Sequence, residues 1–316
     1  MISILSQNSR WFTPILLISA LICLPANGQQ DSFPRLKWKL NTGDQFQSTL
    51  VQASTTATKV DSRETTVNSE TTIVFDWNVT SVDQNGDATV EQSLASIKLS
   101  VGDPAVPTQV VRFDTMSKGE PSKVSRKLLA QVRPLIGLKF NVVMTPLGDI
   151  KDIVIPEATM DQLNQLPETF KLRALFSKQG MSDILGASAI VLPDEQLSKG
   201  QSWSDEAETS TTFGVFNRKR NYTFVGINQK EGREVAEFSL VATLEPVVDD
   251  SETQKGDSLK GQLVEFSGDG KLFLDVEGGF FSSSSIRNEA RSEKPYREKK
   301  IQTVVANQMK MTVVKK

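Results

Sequence analysis

The sequence predicts a mainly β protein with a few helices, an α+β fold of two similar curved antiparallel sheets joined by a helical segment. Three observations carry this. Apolar and polar residues alternate with a period of two, as in Ile73, Phe75, Trp77 and Val79 against Val74, Asp76, Asn78 and Thr80. Turn-forming glycines separate such runs, Asn85-Gly86 first among them. Three blocks also recur in the same order in the two halves of the chain. Gly43–Leu50 matches Gly200–Ala207, Val79–Val101 matches Phe224–Val247, and Leu138–Ile155 matches Gly270–Ile286. The shared order suggests an internal duplication.

The chain of 316 residues opens on a segment with the composition of a secretory leader. Arg10 is the only charge in residues 1–28, and Trp11–Leu24 carries none before Pro25 breaks the run. That run is too short to span a bilayer comfortably, which takes about 20 apolar residues. Small residues at Ala26 and Gly28 predict cleavage before Gln29 and export to the periplasm or the exterior. Cys23 follows Ile22, which does not suit a lipidation site, so it reads as part of the leader's apolar core. No second run of membrane-spanning length follows.

Residues 29–155 form the first expected β-rich half. Thr and Val crowd residues 48–74 and favour a pleated surface. The stretch Ser81–Val90 (SVDQNGDATV) has enough carboxylate and amide oxygens for a calcium loop. Counting from Asp83, however, glycine falls in the fourth place rather than the sixth, and Leu94 holds the twelfth place where a glutamate belongs. It reads as a hairpin turn. Val124, Leu128, Leu129 and Val132 give Pro121–Leu135 a helical stripe.

Residues 156–191 form the expected helical connector. Pro167 should divide it into two helices. Its Phe170, Leu175, Phe176 and Met181 are the candidate contacts for an apolar ligand, though filling the core is the plainer role for such residues. Residues 192–316 form the second β-rich half. Gly268-Asp269-Gly270-Lys271 reads as a hairpin turn, and Asp249–Asp257 as a polar loop. The basic run Arg287, Arg291, Lys294, Arg297, Lys299 and Lys300 is interleaved with glutamates and reads as a solvated loop or strand edge. The last strand is expected over Ile301–Val314. Asn78-Val79-Thr80 and Asn221-Tyr222-Thr223 match glycosylation acceptors but fall within expected strands.

Absent residue types narrow the chemistry. The chain has no histidine and one cysteine, Cys23, which the leader would take with it. Imidazole bases, Ser-His-Asp triads, thiolate nucleophiles, structural zinc and disulfides are therefore excluded from the mature protein. Ser122-Lys123, Ser177-Lys178 and Ser198-Lys199 are adjacent pairs, but Ser-x-x-Lys spacing is lacking. No phosphate loop or dinucleotide fingerprint is present. A net charge of −2 offers no pull toward nucleic acid. The reading assigns no catalytic residue, no cofactor and no metal.

Four stretches, LKWKLNTGDQFQSTL, VTSVDQNGDATVEQSLASIKL, LPDEQLSKGQSWS and GDGKLFLDVEGGFFSSSS, together resemble a family of secreted proteins of unknown function frequent in planctomycete bacteria. The first resembles that family's opening strand, the third its strand leading into the second half, and the last its closing hairpin. The resemblance implies an exported β-rich protein and no particular reaction.

Three functions remain open. The leading one is an exported, non-catalytic module of the cell envelope that binds a protein or polysaccharide partner. The second is a periplasmic carrier of a lipid or other apolar ligand. The third is a carboxylate-dependent glycoside hydrolase, which needs two acids facing each other across a cleft.

Overall fold

The structure is a computed structural model. It describes residues 33–119, 121–165, 176–178, 180–182, 185, 190–211, 214–247, 262–296 and 299–316. The leader, Pro167 and the loop Asp249–Asp257 lie outside the described residues.

Alternation sets the strands of the first half. β1 (Gln45–Val60), β2 (Arg63–Val82) and β3 (Ala88–Gly102) form a meander, with short β4 (Val111–Asp114) beside β3. The Ser81–Val90 stretch is the turn between β2 and β3. Its Asp83 carboxylate accepts from the backbone N–H groups of Asn85 at 2.8 Å and Asp87 at 2.9 Å, while Gly86 takes a φ of +85°. The oxygens that suggest an ion loop hold the turn instead. Helix α1 (Lys123–Val132) starts at Ser122, whose side chain caps the Ser125 N–H. It buries Leu129 and Val132 but leaves Val124 exposed, so its stripe is narrower than the spacing predicts. β5 (Lys139–Met144) and β6 (Ile150–Val154) complete this half, and α2 (Glu157–Asn164) opens the connector.

The second half is a run of strands, β7 (Ser202–Thr211), β8 (Gly214–Lys230), β9 (Arg233–Pro246), β10 (Gln262–Asp275), β11 (Phe280–Tyr296) and β12 (Lys299–Lys315). The halves do not make two sheets. They make one antiparallel sheet in the order β6-β5-β3-β2-β1-β12-β11-β10-β9-β8-β7, with β4 beside β3. The physical reason is the pairing of β1 with β12 from Phe46 opposite Lys315 to Val60 opposite Ile301, which joins the two meanders.

Equivalent positions in the meanders share details beyond strand order. Gly43 N–H donates to Val79 O at 2.8 Å, and Val79 N–H donates to Asp44 O at 2.9 Å. Gly200 N–H donates to Phe224 O at 2.8 Å, and Phe224 N–H donates to Gln201 O at 2.9 Å. The register slips between Val79 and Ser81 in β2, and between Phe224 and Gly226 in β8.

Two sequence readings change. Gly268–Lys271 is not a turn but lies inside β10, and the turn to β11 follows Asp275. The glycines allow close approach: a Cβ on Gly268 would meet Asn288 Oδ1 at 2.6 Å, and one on Gly270 would meet Ile286 Cγ1 at 2.9 Å. Of the basic run, Arg287, Arg291 and Lys294 lie in β11 and Lys299 and Lys300 in β12, interior strands rather than an edge, while Arg297 lies outside the described residues. Alternation with glutamate lets it pair across strands, as Arg291 does with Glu265 at 2.8 Å.

The core fills one face of the sheet near one end of the strands. Phe46, Phe75, Trp77, Phe140, Tyr222, Phe238 and Phe281 are buried there, under α1 and the described part of the connector. The segment before β1 crosses this end, where Trp38 N–H donates to Pro146 O at 2.7 Å and Lys39 N–H to Gly279 O at 2.8 Å. The segment before β7 does the converse, as Leu192 N–H donates to Leu147 O at 2.8 Å. Each half thus has its leading segment bonded to a hairpin turn of the other.

At the end of β12, lysines hold two carboxylates. Burial pushes the Asp44 carboxyl up, but Lys315 at 2.7 Å and the Asn41 backbone N–H outweigh it and leave its pKa below the usual range. Burial likewise raises Asp76, and Lys316 at 2.5 Å with Gln47 at 2.9 Å reverses the direction.

Two predictions follow from these contacts. Gly43 and Gly148 have φ of +92° and +91°, but only Gly148 is crowded, since a Cβ there would lie 2.6 Å from Ile190 O and 2.8 Å from Trp38 Nε1. Gly43→Ala should cost about 1–2 kcal/mol from backbone strain alone, and Gly148→Ala about 3 kcal/mol or more, read by chemical denaturation. Carboxylates with depressed folded pKa values add stability above their unfolded pKa, about 4, and lose it as pH falls through the folded values. A Lys315→Met, Lys316→Met double variant should therefore be less stable than the parent at pH 7. The gap should close as pH drops below about 4 in thermal unfolding.

Candidate functional site

The sheet continues well past its core. No apolar residue between Val51 and Thr72 is buried, so both faces of this part of the hairpin meet solvent. On the face opposite the core, the register builds rows of side chains across the strands. Arg112 lies opposite Ser100, Ser100 opposite Glu70 and Glu70 opposite Ala53. The row continues through Gln308 to Arg287 and Asp269. A second row runs from Asn68 through Thr55 and Ala306 to Glu289 and Ser267.

These rows line a groove of about 750 Å³, with Pro104 and Val110 at one end. Seven strands at the usual spacing make the first row about 30 Å long. Among the described residues, no aromatic side chain lines the groove. Hydroxyls and amides make up much of its floor, and these groups both donate and accept hydrogen bonds. Its charges are of both signs: Arg112 and Arg287 against Glu70, Asp269 and Glu289. Among the described residues, none of these five makes an ion pair with another side chain. Asp269 and Glu289 both neighbour Arg287 on one wall, and only Glu70 stands on the far side. The arrangement can hold an extended chain rich in hydrogen-bonding groups and carrying charge.

A second hollow lies inside the core and is apolar. Trp38, Trp77, Gln92, Leu185, Phe281 and Met311 are among its walls, and it offers about 30 Å³. Trp77 Nε1 donates to Ser48 Oγ at 3.0 Å. Trp38 Nε1 and Gln92 Oε1 are buried without a hydrogen-bond partner among the described residues.

Of the candidate apolar-ligand contacts, Phe176 and Met181 are packed into the core, at 2 % and 0 % exposure, and line neither space. Phe170 and Leu175 lie outside the described residues. Leu185, four residues beyond Met181, is the connector side chain that reaches the hollow. The three Ser-Lys pairs have structural duties. Ser122 caps α1, Ser177 Oγ accepts from the Gly180 N–H at 3.1 Å, Lys178 bonds Asp152 at 2.5 Å, and Ser198 N–H donates to Gln201 Oε1 at 2.8 Å. The groove is missed by sequence reading because its floor joins residues hundreds of positions apart. The one local signal is the sign alternation at Arg287, Glu289 and Arg291, which marks one face of β11.

Comparison with known proteins places the chain by family rather than by activity. No curated protein matches it. Among solved structures it is similar to lipovitellin, described for its lipid–protein interactions, with a TM-score of 0.46 and 11 % identity over 87 % of this chain. The match spans 25 % of the lipovitellin chain. DynF, from the dynemicin biosynthesis pathway of Micromonospora chersina, has a TM-score of 0.20 and 8 % identity over 90 % of this chain and 86 % of its own. An outer membrane channel from Pseudomonas putida F1 has a TM-score of 0.20 and 8 % identity over 89 % of this chain and 99 % of its own. At these TM-scores none lends its function to this chain. One family model covers residues 85–271, from the β2–β3 turn to the middle of β10, and by that match the chain belongs to the DUF6263 family, a family of unknown function.

Proposed function

We propose that the protein is an exported, non-catalytic binding module of the cell envelope that holds an extended segment of a partner protein in its groove. The observation that carries this is the row from Arg112 to Asp269, which sets hydroxyls, amides and charges of both signs along one continuous path. A polypeptide presents matching groups at every residue. A polysaccharide is the lesser fit, because sugar rings pack their apolar faces on aromatic side chains and none of the described residues of the groove is aromatic. Export rests on the leader-like residues 1–28. The non-catalytic reading rests on the lack of histidine, on a lone cysteine that falls in the leader-like segment, and on the spacing of the acids: Asp269 and Glu289 share one wall, and Glu70 lies three strands, about 14 Å, from Glu289, beyond the separation that glycoside hydrolysis uses.

The duplication enters this proposal as well. We read the two meanders as copies of one ancestral half, supported by the paired backbone bonds at Gly43 and Gly200 and the register slips at matching places. The groove would then be a product of fusion, since its floor draws strands from both copies. The carrier reading is the weaker one, because the apolar hollow, at about 30 Å³, is far smaller than an acyl chain.

Binding tests the proposal directly. Peptides of about nine residues with mixed Lys and Glu content match the row length. They should bind the mature protein, with affinity falling as salt rises. Arg287→Glu should weaken binding at least tenfold with little change in melting temperature, because Arg287 is exposed and makes no ion pair among the described residues. Tight binding of cell-wall polysaccharide with no peptide binding would replace the protein partner. A stoichiometric lipid in an organic extract of detergent-free protein would restore the carrier.

A further inference from the structure

The groove carries a further inference, which rests on the proposed peptide binding: its charges fix an order as well as a composition. Along the first row the charged places are Arg112 on β4, Glu70 on β2, Arg287 on β11 and Asp269 on β10, so the sign alternates from one end to the other. Residues directly opposite each other share a face of the sheet, and all four line the groove. The same strands turn a neighbouring row to the other face, from Val101 through Ser69, Ser54, Asn307 and Asn288 to Gly268, and that row carries no charge. Both faces of the β1–β2 hairpin meet solvent here, so a need for solubility would have acted on both. Arg287 and Asp269 are cross-strand neighbours, near enough to pair. Yet among the described residues none of the four charges makes an ion pair with another side chain. Each is left to a charge from outside.

We propose that the groove selects partner segments whose charges alternate in one order: an acid against Arg112, a base against Glu70, an acid against Arg287 and a base against Asp269. Strand spacing sets the intervals, since an extended peptide laid across the strands advances about 3.3 Å per residue. Arg112 and Glu70 are two strands apart, about 10 Å or about three residues. Glu70 and Arg287 are three strands apart, about 14 Å or about four residues. Arg287 and Asp269 are one strand apart, about 5 Å or about two residues. A segment with its acids gathered at one end and its bases at the other is rejected. Laid in either direction, it sets like charges together at two of the four places. Glu70 separates the two patterns most cleanly, because among the described residues no other acid lines its half of the groove.

The test uses the mature protein and two ten-residue peptides of one composition, with serine and asparagine between the charges. The ordered peptide has glutamate first, lysine fourth, glutamate eighth and lysine tenth. The sorted peptide has both glutamates before both lysines at the same four places. By calorimetry at low salt the ordered peptide should bind at least about fivefold more tightly, a gap that narrows as salt rises. Replacing its fourth residue by glutamate should weaken binding to the parent protein and strengthen binding to Glu70→Lys, a reversal that general damage to the fold does not produce. Where Glu70→Lys fails to fold, Arg112→Glu with lysine in the first place of the peptide makes the same test. Equal binding of the ordered and sorted peptides overturns the charge order and leaves peptide binding standing. Binding of neither peptide overturns the proposed function, and the charge order with it.

Discussion

Strand β1 lies against β12 along its whole length from Phe46 to Val60, although some 240 residues of chain separate the two strands. Each meander by itself ends in an unpaired strand at this seam, and the pairing turns two sheet fragments into one. The groove crosses the seam between Ala53 and Gln308. The hollow uses Met311 of β12 as a wall, and the Phe46 and Phe280 rings meet across it at 5.3 Å. Core, groove and hollow all depend on this one register.

The sheet uses its two faces at different heights. Near the hairpin turns that the leading segments clasp, one face carries the aromatic core. Farther along the same strands the opposite face carries the groove. Its open edge at β7 is marked by an inward charge. Asp205 takes a bidentate pair from Arg220 at 2.8 and 2.6 Å and the Tyr222 hydroxyl at 3.2 Å. Burial raises the Tyr222 phenol above its ordinary pKa, so it stays a neutral donor. An inward-facing carboxylate on an edge strand discourages another strand from adding there, because that residue is already committed to its own sheet.

Local chemistry was legible from the residues, and long-range pairing was not. The Asn85-Gly86 turn, the alternation of β2 and the stripe of α1 are written in neighbouring positions, and the structure has them. The single sheet depends on a register between residues near 50 and residues near 310, for which no local pattern exists. Gly268 and Gly270 resemble a turn because glycine is what turns most often use. Only the neighbours Asn288 and Ile286 explain why they sit inside a strand. Arg287 and Glu289 read as solvated charges, which they are, but their neighbours Asp269 and Gln308 make them part of a groove.

The β1–β12 seam also sets the order of events as the chain is made. β1 emerges some 240 residues before its lasting partner on one side. Until then the strand QFQSTLVQASTTATKV has one side without hydrogen bonds, and Lys59 is its only charge. A Thr- and Val-rich strand with little charge and no proline pairs readily with copies of itself. The newborn protein therefore passes through an interval in which its central strand is its most adhesive one, and that interval lasts until β12 is available. Until β12 closes it, that edge is open to strands of other chains.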